Sequence, residues 1–181
     1  MTSWPLVRLI RTVRQRAEVV DRALPSSYFH YLCDTYGFVS SVTSSLWSSP
    51  FAAMRVHARA TRLADELRLI GGRPDEIARI ARDAGTPTVD KASEALGWLF
   101  VVERCALQTS RLRRRLAYGD WTEAPEDRDE WIQFGRQLTV VIASDDDMKA
   151  LTTGALAALD ALEDWSLVTA AKDGEPQARI A

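Results

Sequence analysis

Apolar residues recur at intervals of three and four along almost the whole chain, and no segment of useful length alternates apolar with polar residues. A helix buries residues at that spacing on one stripe, so the pattern commits the chain to helices packed on helices. The first stripe is Leu6, Leu9, Ile10, Val13, Ala17, Val20 and Leu24, with Ser3 placed to cap it and Pro5 near its first turn. Pro25 stops that helix, and Ser26-Ser27 starts a second one reaching to about Trp47. Gly37 falls inside it. A mid-helix glycine costs about 1 kcal/mol against alanine, so it signals a kink or a close packing contact. Ser49-Pro50 opens a third helix and Gly71-Gly72 closes it. A short helical piece from Asp75 to Asp83 follows, then a loop through Gly85 and Pro87, then a long helix from about Val89 to Tyr118. After a loop from Gly119 to Glu126, a further helix carries Trp131, Phe134, Leu138 and Val141. Ser144 caps the last helix, whose stripe is Leu151, Ala155, Leu159, Leu162 and Trp165. The expectation is an all-α, single-domain bundle of about six main helices over residues 1–170, with a disordered polar tail at 171–181.

A formal net charge of -2 gives the whole molecule no bias toward nucleic acid. No stretch approaches the ~18 apolar residues of a membrane span, and arginine interrupts the N-terminal residues before any signal-peptide core. Cys33 and Cys105 are the only cysteines, with no CxxC pair. A disulfide framework and a thiolate zinc site are therefore excluded, and the expected compartment is the cytoplasm.

The segment Ala95 to Ser110, ALGWLFVVERCALQTS, resembles the distal-helix signature ALGxLYVLEGSxLGG of bacterial haem oxygenases, especially those accompanying bacteriophytochromes. Other blocks follow in the family's order. Tyr31-Leu32 with Tyr36-Gly37-Phe38 is similar to YxxFLxxxxGF, and Glu66 through Gly71 to DLxxLG. Trp131, Phe134 and Leu138 are similar to WxxFxxxL, and Ala155 through Trp165 to the final AAxxTFxxLxxW helix. The resemblance covers about residues 6 to 168 and implies a haem oxygenase-like helical fold.

The departures from that pattern carry the functional expectation. The family holds haem iron through one first-helix histidine in a T-x3-H-x3-[DE] pattern, because a neutral imidazole coordinates iron and leaves the opposite face free for oxygen. Anchoring on Thr12 puts that position at Arg16, and anchoring on Asp21 puts it at Ala17. Neither side chain can ligate, since guanidinium has no lone pair to offer. No histidine precedes His30. On the distal helix, positions where the family has glycines beside the haem are here Arg104, Gln108 and Thr109. Arg104 would fill much of that space if it points inward, and Arg16 is expected to occupy the vacated haem space and pair with a carboxylate such as Glu103. Ser41-Val42-Thr43 replaces the family's Pro-Leu-Glu.

Substitute ligands are few. His30, among Tyr28, Phe29 and Tyr31, reads as a core-edge histidine, and His57, beside Arg55 and Arg59, as a solvated one. Cys33 reads as a small buried hydrophobe, although a thiolate is a known haem ligand. His30 and Cys33 at i, i+3 share a face but are too few for a metal site. Asp145 to Asp147, and the group Glu126, Asp127, Asp129 and Glu130, read as helix-start acids that complement the dipole. The arginines at the end of the long helix, Arg111 and Arg113 to Arg115, fit the dipole too. Those of the first helix, Arg8, Arg11, Arg14, Arg16 and Arg22, do not, and need either intramolecular acids or an acidic partner.

The resulting expectation is a non-catalytic haem oxygenase-like protein without cofactor or bound metal, acting through another protein. A sensor histidine kinase of the phytochrome type is the partner class the resemblance suggests. Arg8, Arg11 and Arg14 are the candidate contacts. The alternatives are a biliverdin-producing haem oxygenase using His30 or Cys33 as an unorthodox haem ligand, and a surviving pocket that holds a different apolar ligand, a tetrapyrrole product or a lipid.

Overall fold

The structure, a computed structural model, describes residues 4–23, 27–82, 88–118 and 124–173. Among the described residues there are seven helices and no strand: α1 Trp4–Ala23, α2 Tyr28–Val42, α3 Pro50–Leu69, α4 Pro74–Arg82, α5 Ala92–Tyr118, α6 Pro125–Val141 and α7 Asp145–Asp173. This is the expected all-α, single-domain bundle, with six long helices and the short α4. No helix is long and apolar enough to cross a membrane among the described residues. The expected features at Ser3, Leu24 to Ser26, Asp83 to Pro87, Gly119 to Glu123 and 174–181 lie outside the described residues.

Local chemistry sets the helix ends. Ser49 caps α3 by accepting from the backbone N–H of Ala52 at 3.3 Å, and Pro50 takes the first position, where no N–H is needed. At the other end, Gly72 N–H donates to Leu67 C=O at 2.8 Å and Gly71 N–H to Arg68 C=O at 3.2 Å. That is a Schellman closure, and it requires the left-handed φ of 99° that Gly71 adopts. Ser144 and Asp147 form a reciprocal capping box on α7: Asp147 N–H donates to Ser144 Oγ at 3.0 Å, and Ser144 N–H donates to Asp147 Oδ2 at 3.1 Å.

Two boundaries differ from expectation. α2 ends at Val42, not near Trp47. The hydroxyls of Ser40, Ser41 and Thr43 donate to the carbonyls of Gly37, Phe38 and Val39, at 3.0, 2.6 and 3.1 Å. Such back-bonding competes with the helical ladder, and the chain turns after three such residues. At the C-terminus, α7 continues to Asp173, three residues into the segment expected to be a disordered tail.

α5 is the central element: it packs most extensively on α7 and also touches α2, α3 and α6, while α1 lies on α7 and α6. The α5–α7 contact is close because glycines face backbone. A Cβ on Gly97 would sit 2.6 Å from the Ala155 nitrogen and against the Leu151 carbonyl, and one on Gly154 would press on the Glu94 carbonyl. Gly37 marks a packing contact rather than a kink: a Cβ there would fall within the Trp165 indole, which joins α2 to α7. The core combines Leu6, Leu9, Val13 and Val20 of α1 with Leu96, Leu99 and Phe100 of α5 and Leu151, Ala155, Leu159 and Leu162 of α7. Ile10, assigned to the same stripe, is partly exposed.

Candidate functional site between α1 and α5

Among the described residues α1 and α5 do not pack backbone to backbone, although both helices pack on α7 and α6. The space between them is a cleft of about 380 Å³. From α1 it is lined by Ile10, Val13, Arg14, Ala17 and Glu18, and from α5 by Phe100, Arg104, Leu107, Gln108 and Arg111, with Trp131 of α6 at its side. Both sets are helical stripes, with steps of three, four or one residue, so each helix presents one continuous face to the cleft.

Of the two first-helix positions singled out in the sequence, Arg16 and Ala17, it is Ala17 that borders the cleft. Arg16 is turned the other way. Its Nε donates to Asp160 Oδ1 at 2.6 Å and an Nη2 to Glu163 Oε2 at 2.5 Å, joining α1 to α7. Glu163 is the chief cause of a raised Arg16 pKa. The expected pairing of Arg16 with Glu103 is therefore incorrect: helical rotation by one residue, about 100°, carries Arg16 onto the α7 side and leaves Ala17 on the cleft.

The four long-helix residues singled out in the sequence, Glu103, Arg104, Gln108 and Thr109, separate onto two faces of α5. Arg104 and Gln108 line the cleft. Arg104 donates across it to Asp21, so one ion pair bridges α1 and α5. Burial works against the Arg104 charge, but the Asp21 hydrogen bond and charge outweigh it and raise its pKa. Glu103 and Thr109 lie on the opposite side. Thr109 Oγ donates to Cys105 C=O at 3.0 Å and borders a smaller cavity of about 220 Å³ between α3, α5 and α6.

Glu103 belongs to a buried ion network that sequence reading missed. Its carboxylate is 0% exposed and accepts from Arg55 Nε at 2.8 Å and from Arg59 Nη2 at 2.7 Å. Arg59, 7% exposed, also pairs with Asp127 at 3.0 Å and Glu130 at 2.5 Å, and Glu130 in turn takes a two-pronged bond from Arg62 at 2.8 and 3.2 Å. Asp127 and Glu130 are thus not simply dipole-matching acids at a helix start. The available signal was spacing: Arg55, Arg59 and Arg62 share one face of α3, and Asp127 and Glu130 share one of α6.

The remaining candidates are dispersed. His30 is exposed on α2, its ring meeting Phe29 edge-on at 5.8 Å, so it is not at the core edge. His57 is exposed as expected and borders an open apolar groove with Trp47 and Met54. Cys33 is half-buried, and Cys105 is fully buried, which pushes its thiol up to about 12. Neither histidine and neither cysteine lines the α1–α5 cleft. Among the described residues, no group of three or more His, Cys, Asp or Glu side chains is placed to hold a metal ion.

Of the first-helix arginines, Arg8 pairs with Asp145 at 2.9 Å and Arg14 with Glu18 at 2.8 Å, so intramolecular acids satisfy both. Arg8 also lies 5.3 Å over the exposed Trp4 ring. Arg11 is exposed. Comparison of the chain with protein families, with curated proteins and with solved structures finds no match.

Proposed function

We propose that this chain is a non-catalytic, haem oxygenase-like protein of the bacterial cytoplasm that works by binding another protein, a sensor histidine kinase being the partner class the sequence resemblance favours. The observation that carries the reading is the cleft between the first and the long helix. It has methyl at Ala17 where the family needs imidazole, and an Arg104–Asp21 ion pair spans it. Neither wall supplies the imidazole, thiolate, thioether or phenolate that holds haem iron in known sites. The docking face is the start of α1, where Arg8 lies over the Trp4 ring and Arg11 is exposed; tryptophan and arginine are residue types enriched among the hot spots of protein interfaces.

Two measurements test this. Hemin titrated into the pure protein gives no sharp, saturable Soret band at one equivalent. A sharp band lost in His30→Ala or Cys33→Ala overturns the non-catalytic reading in favour of an enzyme with an unusual ligand. Affinity for the cytoplasmic portion of a phytochrome-type kinase from the same cell falls about tenfold or more when Arg8, Arg11 and Arg14 become alanine, if two or more charge-assisted contacts of about 1 kcal/mol each are lost. Binding that survives the triple change sinks the assigned face.

A further inference from the structure

The charges around the α1–α5 cleft are matched within the protein. Arg14 donates to Glu18 at 2.8 Å, Arg104 pairs with Asp21, and Arg111 has an interaction partner too. A carboxylate entering the cleft would have to draw an arginine off its present partner, and an ammonium would have to draw off Glu18 or Asp21. Either exchange strands one charge for each one it satisfies, and the ligand's own charge still loses its hydration. The floor, in contrast, is apolar: Val13, Ala17, Phe100 and Leu107 are almost wholly buried, and Trp131 flanks them. One polar group in the lining stands apart. Gln108, one turn beyond Arg104 on the same face of α5, is half-buried, and its carboxamide makes no hydrogen bond among the described residues. That group offers a carbonyl acceptor and two N–H donors. The cleft's volume, about 380 Å³, lies at the small end of the ~300–1,000 Å³ range of ligand sites.

We propose that this cleft binds a small neutral molecule with an apolar body and one carboxamide group. The body covers the floor. The ligand's carboxamide and that of Gln108 exchange hydrogen bonds, an N–H of each donating to the carbonyl of the other. A wholly apolar ligand would cover the Gln108 amide and leave it without a partner, which is costly. An apolar lining with a single placed polar group is the pattern of small-molecule sites. The inference goes beyond the proposed function and stands without it, because it needs neither an iron ligand nor a partner protein.

The competing site is the groove beside Trp47 and Met54, larger at about 750 Å³. No carboxamide lines it, so binding there would not respond to Gln108.

The test is titration of the full chain with octanamide, octanoate and octylammonium, each below its solubility or aggregation limit, followed by two-dimensional amide NMR. Octanamide moves the Gln108 side-chain amide signals saturably. It binds about tenfold or more tighter than either ion, whose lost hydration the paired rim does not replace. Gln108→Leu, similar in volume, weakens octanamide about fivefold, the net worth of one hydrogen bond, read from the Trp131 indole N–H. Ala17→Phe fills the cleft and abolishes octanamide binding, while Trp47→Ala leaves it unchanged. Gln108 is not a core residue, so Gln108→Leu keeps the test decisive if Ala17→Phe does not fold. Absence of saturable shifts at Gln108, equal affinity for all three headgroups, unchanged affinity in Gln108→Leu, or loss of binding in Trp47→Ala overturns the proposal. So does full binding in a folded Ala17→Phe.

Discussion

Replacing Glu103 by alanine removes the centre of the buried ion network. Its carboxylate has no contact with solvent and accepts from two arginines that are themselves 11% and 7% exposed. Removing one partner of a buried ion pair costs about 3–5 kcal/mol, because the other charge stays buried and unmatched. Here the arginines keep partial compensation: Arg59 retains Asp127 at 3.0 Å and Glu130 at 2.5 Å, and Arg55 retains Glu130 at 3.6 Å. That argues for the lower end, about 3 kcal/mol. Glu103→Gln preserves the volume and one acceptor oxygen, so about half of that loss, roughly 1.5 kcal/mol, is expected. In a chain of this size each kcal/mol moves Tm by about 2–4 °C, which puts Glu103→Ala about 6–12 °C below the parent. Urea unfolding followed by circular dichroism gives the free energies directly. A Glu103→Ala protein within about 0.5 kcal/mol of the parent would refute the reasoning, because it would mean that the carboxylate is hydrated or the arginines paired elsewhere.

Two further outcomes follow from the same geometry. Gly97→Ala gains about 1 kcal/mol of helix propensity but drives a methyl into the Leu151 carbonyl and the Ala155 nitrogen. Overpacking against backbone costs about 1–3 kcal/mol or more, so urea unfolding should record a net loss, and a stabilised Gly97→Ala would show that α5 and α7 do not meet there. Acid should weaken the fold in a defined window. Burial acts to raise the Glu130 carboxyl, but the Arg62 hydrogen bond and the charges of Arg59, Arg62 and Arg55 outweigh it and hold it below its ordinary 4.5. The Ser144 hydroxyl chiefly holds Asp147 below 3.8. A carboxyl depressed in the folded state stabilises fully above its unfolded value and loses that contribution as pH falls through the folded one. The urea midpoint should therefore begin to fall below about pH 4.5, less steeply in Glu130→Gln, and an identical slope in that variant would exclude Glu130 as a source.

Much of the backbone was legible because helix chemistry is local. Ser49-Pro50, Gly71-Gly72 and Ser144 with Asp147 mark helix ends by satisfying orphan backbone groups within a few residues. Where several local signals competed, legibility failed. The stretch from Ser40 to Thr43 kept helical apolar spacing, and only its hydroxyl back-bonding shows why α2 stops at Val42. Gly37 announced either a kink or a close contact, and the partner that decides between them, Trp165, is 128 positions away and could not be inferred from it.

The chain's order of apolar and polar residues, with its caps and breaks, was sufficient to determine an all-α bundle of six long helices and one short one, since periodicity and capping act over at most a few turns. Which charges meet was decided only by tertiary packing. Arg16 took Asp160 and Glu163 instead of Glu103, and Glu103 took Arg55 and Arg59, 48 and 44 positions earlier. Arg104 took Asp21 across the cleft. The physical reason is that a helix places adjacent residues about 100° apart. The rotation at which each helix seats on its neighbours, set by the whole core, determines whether a side chain meets a partner helix, an open cleft or water.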